Sequence, residues 1–349
     1  FKAFLPVEPD APTYGLRAGG SPLYKAPRLG DLAGLKNLYI KDDGVNPTSS
    51  LKDRASAMGV TKAKEAGATA IACSSTGNAA SSLAGSAAAC GLDSYIFVPS
   101  RAPAAKVTQL LMFGAHVLSV QGNYEDTFSL SAQAIDRFGW YNRNAAINPY
   151  LLEGKKTVSF EIALGLGFKA PDYVAVSVGD GCTIAGVWKG FKDLYESGFI
   201  SSLPRLISVQ ASGCCPINRA ASSGSETLIP MEENTIADSI AVGVPRNFKK
   251  ALMAIKESNA ICVEVSDDEI LEAMKIAGKY AGVFGEPAGI AATAGILKLA
   301  RQEEIDPSAC IVSIVTGNGL KDIASASKAV GAPVSVKPDM QSLLNALDI

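Results

Sequence analysis

The chain has 349 residues, 48% of them hydrophobic, enough to bury a substantial core and to divide into two domains. Its 32 basic and 34 acidic residues leave a net charge of −2 with no long like-charge run, so no nucleic-acid partner and no membrane surface is expected, only a small-molecule ligand. The single histidine, His116, excludes histidine triads and histidine metal clusters and leaves any chemistry to lysine, carboxylate, hydroxyl or a bound cofactor.

In chain order, short β-branched or aromatic runs fall at 37–41, 69–74, 94–99, 116–120, 173–179, 205–210, 261–265 and 310–317, with amphipathic stretches between them. This alternation predicts an α/β fold with mainly parallel sheets, in which the loops after the strands carry the chemistry. The expected division is a large domain of 1–62 and 150–349 with a small mobile domain, 63–149, inserted into it. His116, in the apolar run FGAHVLSV, is expected at a strand edge. The Ala, Ser and Gly between Gly77 and Cys90 read as a close-packed helix, and no apolar run is long enough to span a bilayer.

Cys73, Cys90, Cys182, Cys214, Cys215, Cys262 and Cys310 are odd in number and include no CxxC spacing. A disulfide framework and a cysteine metal site are therefore not expected, and a reducing cytoplasm is. The opening Phe1 is expected to follow an N-terminal piece outside this numbering.

The first chemical signal is KDDGVNPTSSLKDRA, 41–55. An Asn46-Pro47 turn and small hydroxyl residues place Lys52 at or just before the helix that DRASAMGVTKAKEAG predicts. There the helix dipole and Arg54 disfavour an extra proton and help the amine act as a nucleophile. In SSTGNAA, 74–80, Ser75, Thr76 and Gly77 make a cradle for a carboxylate, and Asn78 adds an amide able to bond a phenolic oxygen. In VGDGCTIAG, 178–186, Gly179 and Gly181 let the backbone approach a phosphate at a helix start, and Thr183 offers a hydroxyl. That spacing departs from GxGxxG, and no GKS or GKT makes it a P-loop. TGNGLKD, 316–322, places Thr316 at a strand end, where its hydroxyl meets a ring nitrogen. Each loop alone reads as an ordinary turn. A lysine, a phosphate cup, a carboxylate cup and a ring-nitrogen partner together describe a pyridoxal phosphate site.

From about Leu16 to Asp322 the chain resembles the threonine synthases, within the tryptophan synthase β-like (type II) group of pyridoxal phosphate enzymes. The resemblance is carried by LRAGGSPLYKAPRL, NPTSSLKDR, SSTGNAASSLA, INPYLLEGKKT, the GDGCT loop, GEPAGIAATAG and TGNGLKD, in that order. It implies two open, twisted, mainly parallel sheets flanked by helices, a pyridoxal 5'-phosphate cofactor, and a homodimer. Lys52 would be the aldimine lysine and proton shuttle. Asn78 would bond the phenolic oxygen, the loop of Gly179, Asp180, Gly181, Cys182 and Thr183 the cofactor phosphate, and Thr316 the pyridine nitrogen. Ser75, Thr76, Gly77 and Asn144 would hold the substrate. The implied reaction converts O-phosphohomoserine and water to threonine and phosphate. Some relatives also carry an N-terminal zinc-binding segment.

The chain departs from the family's usual Asn-Ser-(Val or Ile)-Asn-Pro-x-Arg-(Leu or Ile)-Glu-Gly-Gln-Lys-Thr. Ala145 is read at the serine, Leu151 stands at the arginine and Lys155 at the glutamine. The serine and arginine are associated in the family with the substrate phosphate, and leucine cannot replace a charge-assisted contact. Ala79 and Asp180 depart as well, the latter placing a carboxylate beside a phosphate. Lys155 or Lys156 is left to restore a cation, although the plainer reading of both is a solvated helix face. Other reactions stay open beside threonine formation: β-replacement on O-phosphoserine to give cysteate, or dehydration of threonine or serine. A non-catalytic sensor of cofactor or amino acid is a further reading, against which the intact lysine and ring-nitrogen partner argue.

Overall fold

A computed structural model of the protein describes residues 1–12, 16–102 and 104–347. Every strand expected from the sequence is present, as β2 (Asn37–Asp42), β3 (Ala70–Ser74), β4 (Asp93–Pro99), β5 (His116–Val120), β7 (Tyr173–Ser177), β8 (Arg205–Ala211), β9 (Ile261–Val265) and β10 (Cys310–Val315). Two further strands, β1 (Leu23–Lys25) and β6 (Tyr141–Asn142), are too short to show a period in sequence.

A six-stranded sheet runs β1-β2-β10-β7-β8-β9, and a four-stranded sheet runs β5-β4-β3-β6. Among the described strands of these sheets, the β1–β2 pair is the antiparallel one and the other pairs are parallel. The middle strands of the large sheet are buried on both faces, which explains why they read as nearly unbroken apolar runs. His116 opens the edge strand of the small sheet and stacks on Tyr95.

Helices α1 (Pro27–Ala33), α2 (Lys52–Glu65), α3 (Asn78–Cys90), α4 (Ala104–Met112) and α5 (Tyr124–Phe138) come first, followed by α6 (Tyr150–Gly165), α7 (Cys182–Glu196), α8 (Pro216–Ser222) and α9 (Phe248–Glu257). After β9 come α10 (Asp267–Ala281), α11 (Pro287–Arg301), α12 (Ile323–Val330) and α13 (Met340–Leu347). One face of the large sheet packs on α10 and α11, the other on α6, α7 and α9. The small sheet packs on α2 and α3.

Two close approaches fix α2 in place. On α6, Gly154 faces the Arg54 carbonyl so closely that any β-carbon would collide with it. On the other side the small residues of α3 let that helix sit against both α2 and the 46–51 loop, where Ser82 and Ser56 share a hydrogen bond of 2.6 Å. Helix α2 therefore lies between the two sheets' helices, with its N-terminus at the carboxyl ends of the strands. Among the described residues, no helix is long and apolar enough to cross a membrane.

Candidate active site

Lys52 is the first residue of α2, and the loop before it is held by side chains of its own segment. Asp53 accepts from the Thr48 N–H at 2.7 Å and the Thr48 hydroxyl at 2.5 Å, while Asn46 accepts from the Gly19 N–H at 2.8 Å. The loop is also tied to the exit of β10. The Leu51 N–H donates to the Thr316 carbonyl at 2.9 Å, and the Asn318 N–H to the Ser49 carbonyl at 3.0 Å. Strands β2, β10 and β7 are neighbours, so Lys52, Thr316 and the 178–183 loop emerge side by side. The end of β3 supplies Ser75, Thr76, Gly77 and Asn78 from the small sheet.

These segments enclose a cavity of about 470 Å³. Lys52, Ser75, Thr76, Gly77, Asn78, Asn144, Gly179, Asp180, Gly181, Cys182, Thr183 and Thr316, the residues singled out in the sequence, all line it. Lys155, one of the two lysines weighed as a replacement cation, lines it too, whereas Arg143, Glu286 and the 238–242 segment around a short 3-10 turn gave no signal in the sequence. GEPAG was a visible motif, but nothing in it marked Glu286 as a partner of Asn78. The Asn78 amide donates to the Glu286 carboxylate at 2.6 Å, so one of its hydrogens is already committed. Burial holds the Glu286 carboxyl above its ordinary range, against the pull of Lys321, Asn78 and Lys52.

Burial, and after it the Lys155 ammonium, pulls the Lys52 amine down to about 8. Arg143 adds to this, while Cys182 and Glu286 oppose it. Arg54, expected to help, is spent elsewhere. It forms a bidentate pair with Asp43 at 2.6 and 2.8 Å and another with Glu161 at 2.6 and 2.8 Å, and Lys41 reaches Glu161 at 2.6 Å. All of these distances belong to one buried network behind the loop, in which two cations meet two carboxylates. Burial works against the Glu161 charge, yet Arg54 and Lys41 hold its carboxyl at about 2.

The lysines of α6 are not solvated either. Lys156 is buried and pairs with Glu153 at 2.5 Å and Asp193 at 2.6 Å, whereas Lys155 is buried at the cavity wall. Helix α7 starts at the cavity with Gly181 as its N-cap, at φ +92, and no side chain caps it. A β-carbon at Gly181 would be strained and would press on Ala251 and Asn247. Asp180 turns away from the helix end, accepting from the Arg246 N–H at 2.7 Å and the Asn247 amide at 2.5 Å. Its charge is thus satisfied in the neighbouring loop.

A family model described as "Pyridoxal-phosphate dependent enzyme" matches residues 15–317. The threonine synthase of Methanosarcina acetivorans is 40% identical over 99% of this chain and 85% of its own length. That of Methanocaldococcus jannaschii is 39% identical, with the same coverage of both chains. This chain belongs to the threonine synthase family of pyridoxal phosphate enzymes. Solved structures agree on the fold: maize serine racemase superposes with a TM-score of 0.75 at 21% identity, covering 94% of this chain and 91% of that one. A threonine deaminase from Solanum lycopersicum also gives 0.75, at 20% identity, covering 94% of this chain and all of that one.

The residues of this threonine synthase family member fit the cofactor. The uncapped N-terminus of α7 leaves N–H groups free for a phosphate. The Ser50 and Ser74 hydroxyls and the Asn144 amide nitrogen are buried without a hydrogen-bond partner among the described residues, and Ser74 and Asn144 are on the cavity wall. Such groups are costly unless a ligand completes them. The chain is accordingly a pyridoxal phosphate-dependent lyase of the threonine synthase type.

Counting back from Asn148-Pro149 in the family run, the serine position is Ala146 rather than Ala145, and both alanines line the cavity. At the arginine position, Leu151 is fully buried, does not line the cavity, and packs toward Gly59 of α2.

Proposed function

We propose that this enzyme converts O-phosphohomoserine and water to threonine and phosphate, with Lys52 as the residue that bonds the cofactor and moves protons. The observation that carries the reading is Lys52 itself. Its amine is held at about 8 in a cavity that also contains an uncapped helix end, and the chain aligns over 99% of its length with a threonine synthase. Pyridoxal phosphate, when bound, draws electron density away from the substrate α-carbon.

The residues have these proposed roles. Backbone N–H groups from Gly179 to Thr183 hold the cofactor phosphate, Asn78 the phenolic oxygen, and Thr316 the ring nitrogen. Ser75, Thr76, Gly77 and Asn144 hold the amino-acid carboxylate. Lys52 Nζ accepts the substrate α-proton, an easier task for an amine whose pKa lies near neutrality. A β-proton is lost as phosphate departs from Cγ, Cγ then gains a proton, and water adds its hydroxyl at Cβ while its proton and the α-proton are returned to carbon, so the Cγ–O and a Cβ–H bond break and a Cβ–O and a Cγ–H bond form. Thr316 is a neutral partner for the ring and withdraws less charge than a carboxylic acid partner would, which restrains side reactions at the α-carbon.

A second reading is favoured by one observation: Leu151 leaves the usual arginine position without a charge, turned toward α2. Under that reading the substrate is another amino acid with a leaving group, O-phosphoserine giving cysteate, or free threonine or serine undergoing dehydration. The deciding experiment supplies the holoenzyme with O-phosphohomoserine, O-phosphoserine with sulfite, threonine and serine. Threonine and phosphate produced in equal amounts from the first alone support the main reading. Cysteate or keto-acid formation with no threonine overturns it.

We also infer that residues 63–149 move as a small domain against 1–62 and 150–349 and limit water entry. Its support is that the small sheet has its own core and is joined across the cleft by side-chain contacts such as Asn78–Glu286, Lys106–Asp238, Glu125–Arg246, Lys321–Ser81 and Asn247–Ala145. A homodimer in a reducing cytoplasm is the expected setting, supported by seven free thiols and checked by light scattering.

A further inference from the structure

We propose that Lys155 is the cation that binds the anionic leaving group of the substrate, in place of an arginine one helical turn earlier. The inference rests on the reading that this cavity holds pyridoxal phosphate together with an amino-acid substrate.

The first observation is a buried charge without a counterion. Lys155 is 2% exposed and lines the cavity. Among the described residues no carboxylate or other acceptor lies within ion-pair or hydrogen-bond reach of its ammonium, in contrast to Lys156 next to it. A buried ammonium is expensive unless something pairs with it. Arg143 deepens the imbalance, since it is also 2% exposed and, among the described residues, its guanidinium is bonded only to the hydroxyls of Ser56 and Ser82.

The second observation is direction. Helices α6 and α7 lie alongside in step, Gly186 meeting Lys155 and Gly190 meeting Lys156 and Ser159, so their N-termini are at the same end. A helical side chain leans toward its own N-terminus, which carries the Lys155 ammonium back toward the level of Leu151 and the cavity. A lysine at 155 thereby serves the space that a longer side chain at 151 would reach.

The third observation separates this anion from the cofactor's own phosphate. Free N–H groups at the α7 N-terminus already provide for that phosphate. Lys155 and Lys52 line the same cavity, and the Lys155 charge acts on the Lys52 amine. That is where a leaving group on the substrate side chain would lie.

The test uses holoenzyme at constant ionic strength and inorganic phosphate as the probe, followed through the visible band of the bound cofactor. Wild-type protein binds orthophosphate saturably, and Lys155→Gln and Lys155→Met each weaken that binding at least tenfold. The KM for O-phosphohomoserine rises at least tenfold, while the dissociation constant of the cofactor changes less than threefold. Lys155→Arg keeps orthophosphate binding within about threefold of wild type. Unchanged orthophosphate binding in both neutral variants overturns the proposal. So does a parallel tenfold loss of cofactor affinity, which would assign Lys155 to the cofactor's phosphate. If neither neutral variant folds, the wild-type titration decides: saturation relieved by sulfate competition supports the proposal, and absence of saturation overturns it. Orthophosphate reports on this site whatever substrate is turned over. A protein that binds it through Lys155 yet makes no threonine keeps this inference and loses the reaction proposed above.

Discussion

Helices α2 and α6 carry two charged clusters, and the clusters are built on opposite plans. Behind the Lys52 loop, Arg54 of α2 and Glu161 of α6 join Lys41 and Asp43, and every charge meets its opposite. In front of it, Lys52 of α2 and Lys155 of α6 face the cavity with Arg143, and the Glu286 carboxylate on the same wall partly offsets their charge. The closed network costs little once formed and holds the loop rigidly. The open one makes the Lys52 proton easier to lose and leaves positive charge that an anionic ligand can satisfy. Charge that is paired positions the site; charge left unpaired is available to the proposed anionic ligand.

The contrast breaks most visibly at Lys52. Lys52→Met is expected to lower turnover by about three orders of magnitude or more, measured as threonine and phosphate release. In the cofactor-free protein the same change is expected to stabilise. Because the folded pKa of about 8 lies below the ordinary 10.5, the unfolded chain binds the proton more tightly. Stability of the cofactor-free wild type therefore rises as pH goes from about 8 to 10.5. Below that window Lys52→Met is the more stable protein, by on the order of 3 kcal/mol in urea denaturation.

The closed cluster predicts the reverse. Arg54→Met leaves buried Asp43 without its cation and Glu161 with Lys41 alone, and is expected to cost about 3–5 kcal/mol in the same assay. Acid attacks this cluster at Glu161, whose carboxyl is at about 2 when folded and near 4.5 when free. Its contribution is complete above about pH 4.5 and disappears as pH falls toward 2. Glu161→Gln is expected to flatten that part of the stability profile, by roughly 3 kcal/mol, and a profile unchanged by the substitution would remove Glu161 from the account. The smallest effect is expected at Asp180. Asp180→Asn retains an acceptor for the Arg246 N–H but removes a negative charge beside the proposed phosphate cup, and is expected to tighten cofactor binding about two- to fivefold by equilibrium dialysis.

Strands such as YVAVS and CIVSIV were plain in the sequence because burial on both faces leaves long apolar runs. The three-residue β1 and two-residue β6 had no room for a period. Site residues on strand-end loops were legible through their small and hydroxyl side chains. Buried charges were not. Arg54 read as a charge acting on Lys52, and Lys156 as a solvated cation, because their partners Glu161 and Asp193 come from elements far along the chain. Glu286 was hidden for the same reason, its partner Asn78 lying in the other sheet's helix.

The stitching of Ser49 and Leu51 to Thr316 and Asn318 has a consequence for how the protein is made. Strand β10 inserts between β2 and β7, and its exit anchors the loop that presents Lys52. The lysine proposed to react is translated about 260 residues before its anchor. A nascent chain lacking β10 would carry the amine without the architecture that aims it, so capture of the aldehyde becomes a late event, a signal that synthesis of this part of the molecule is finished.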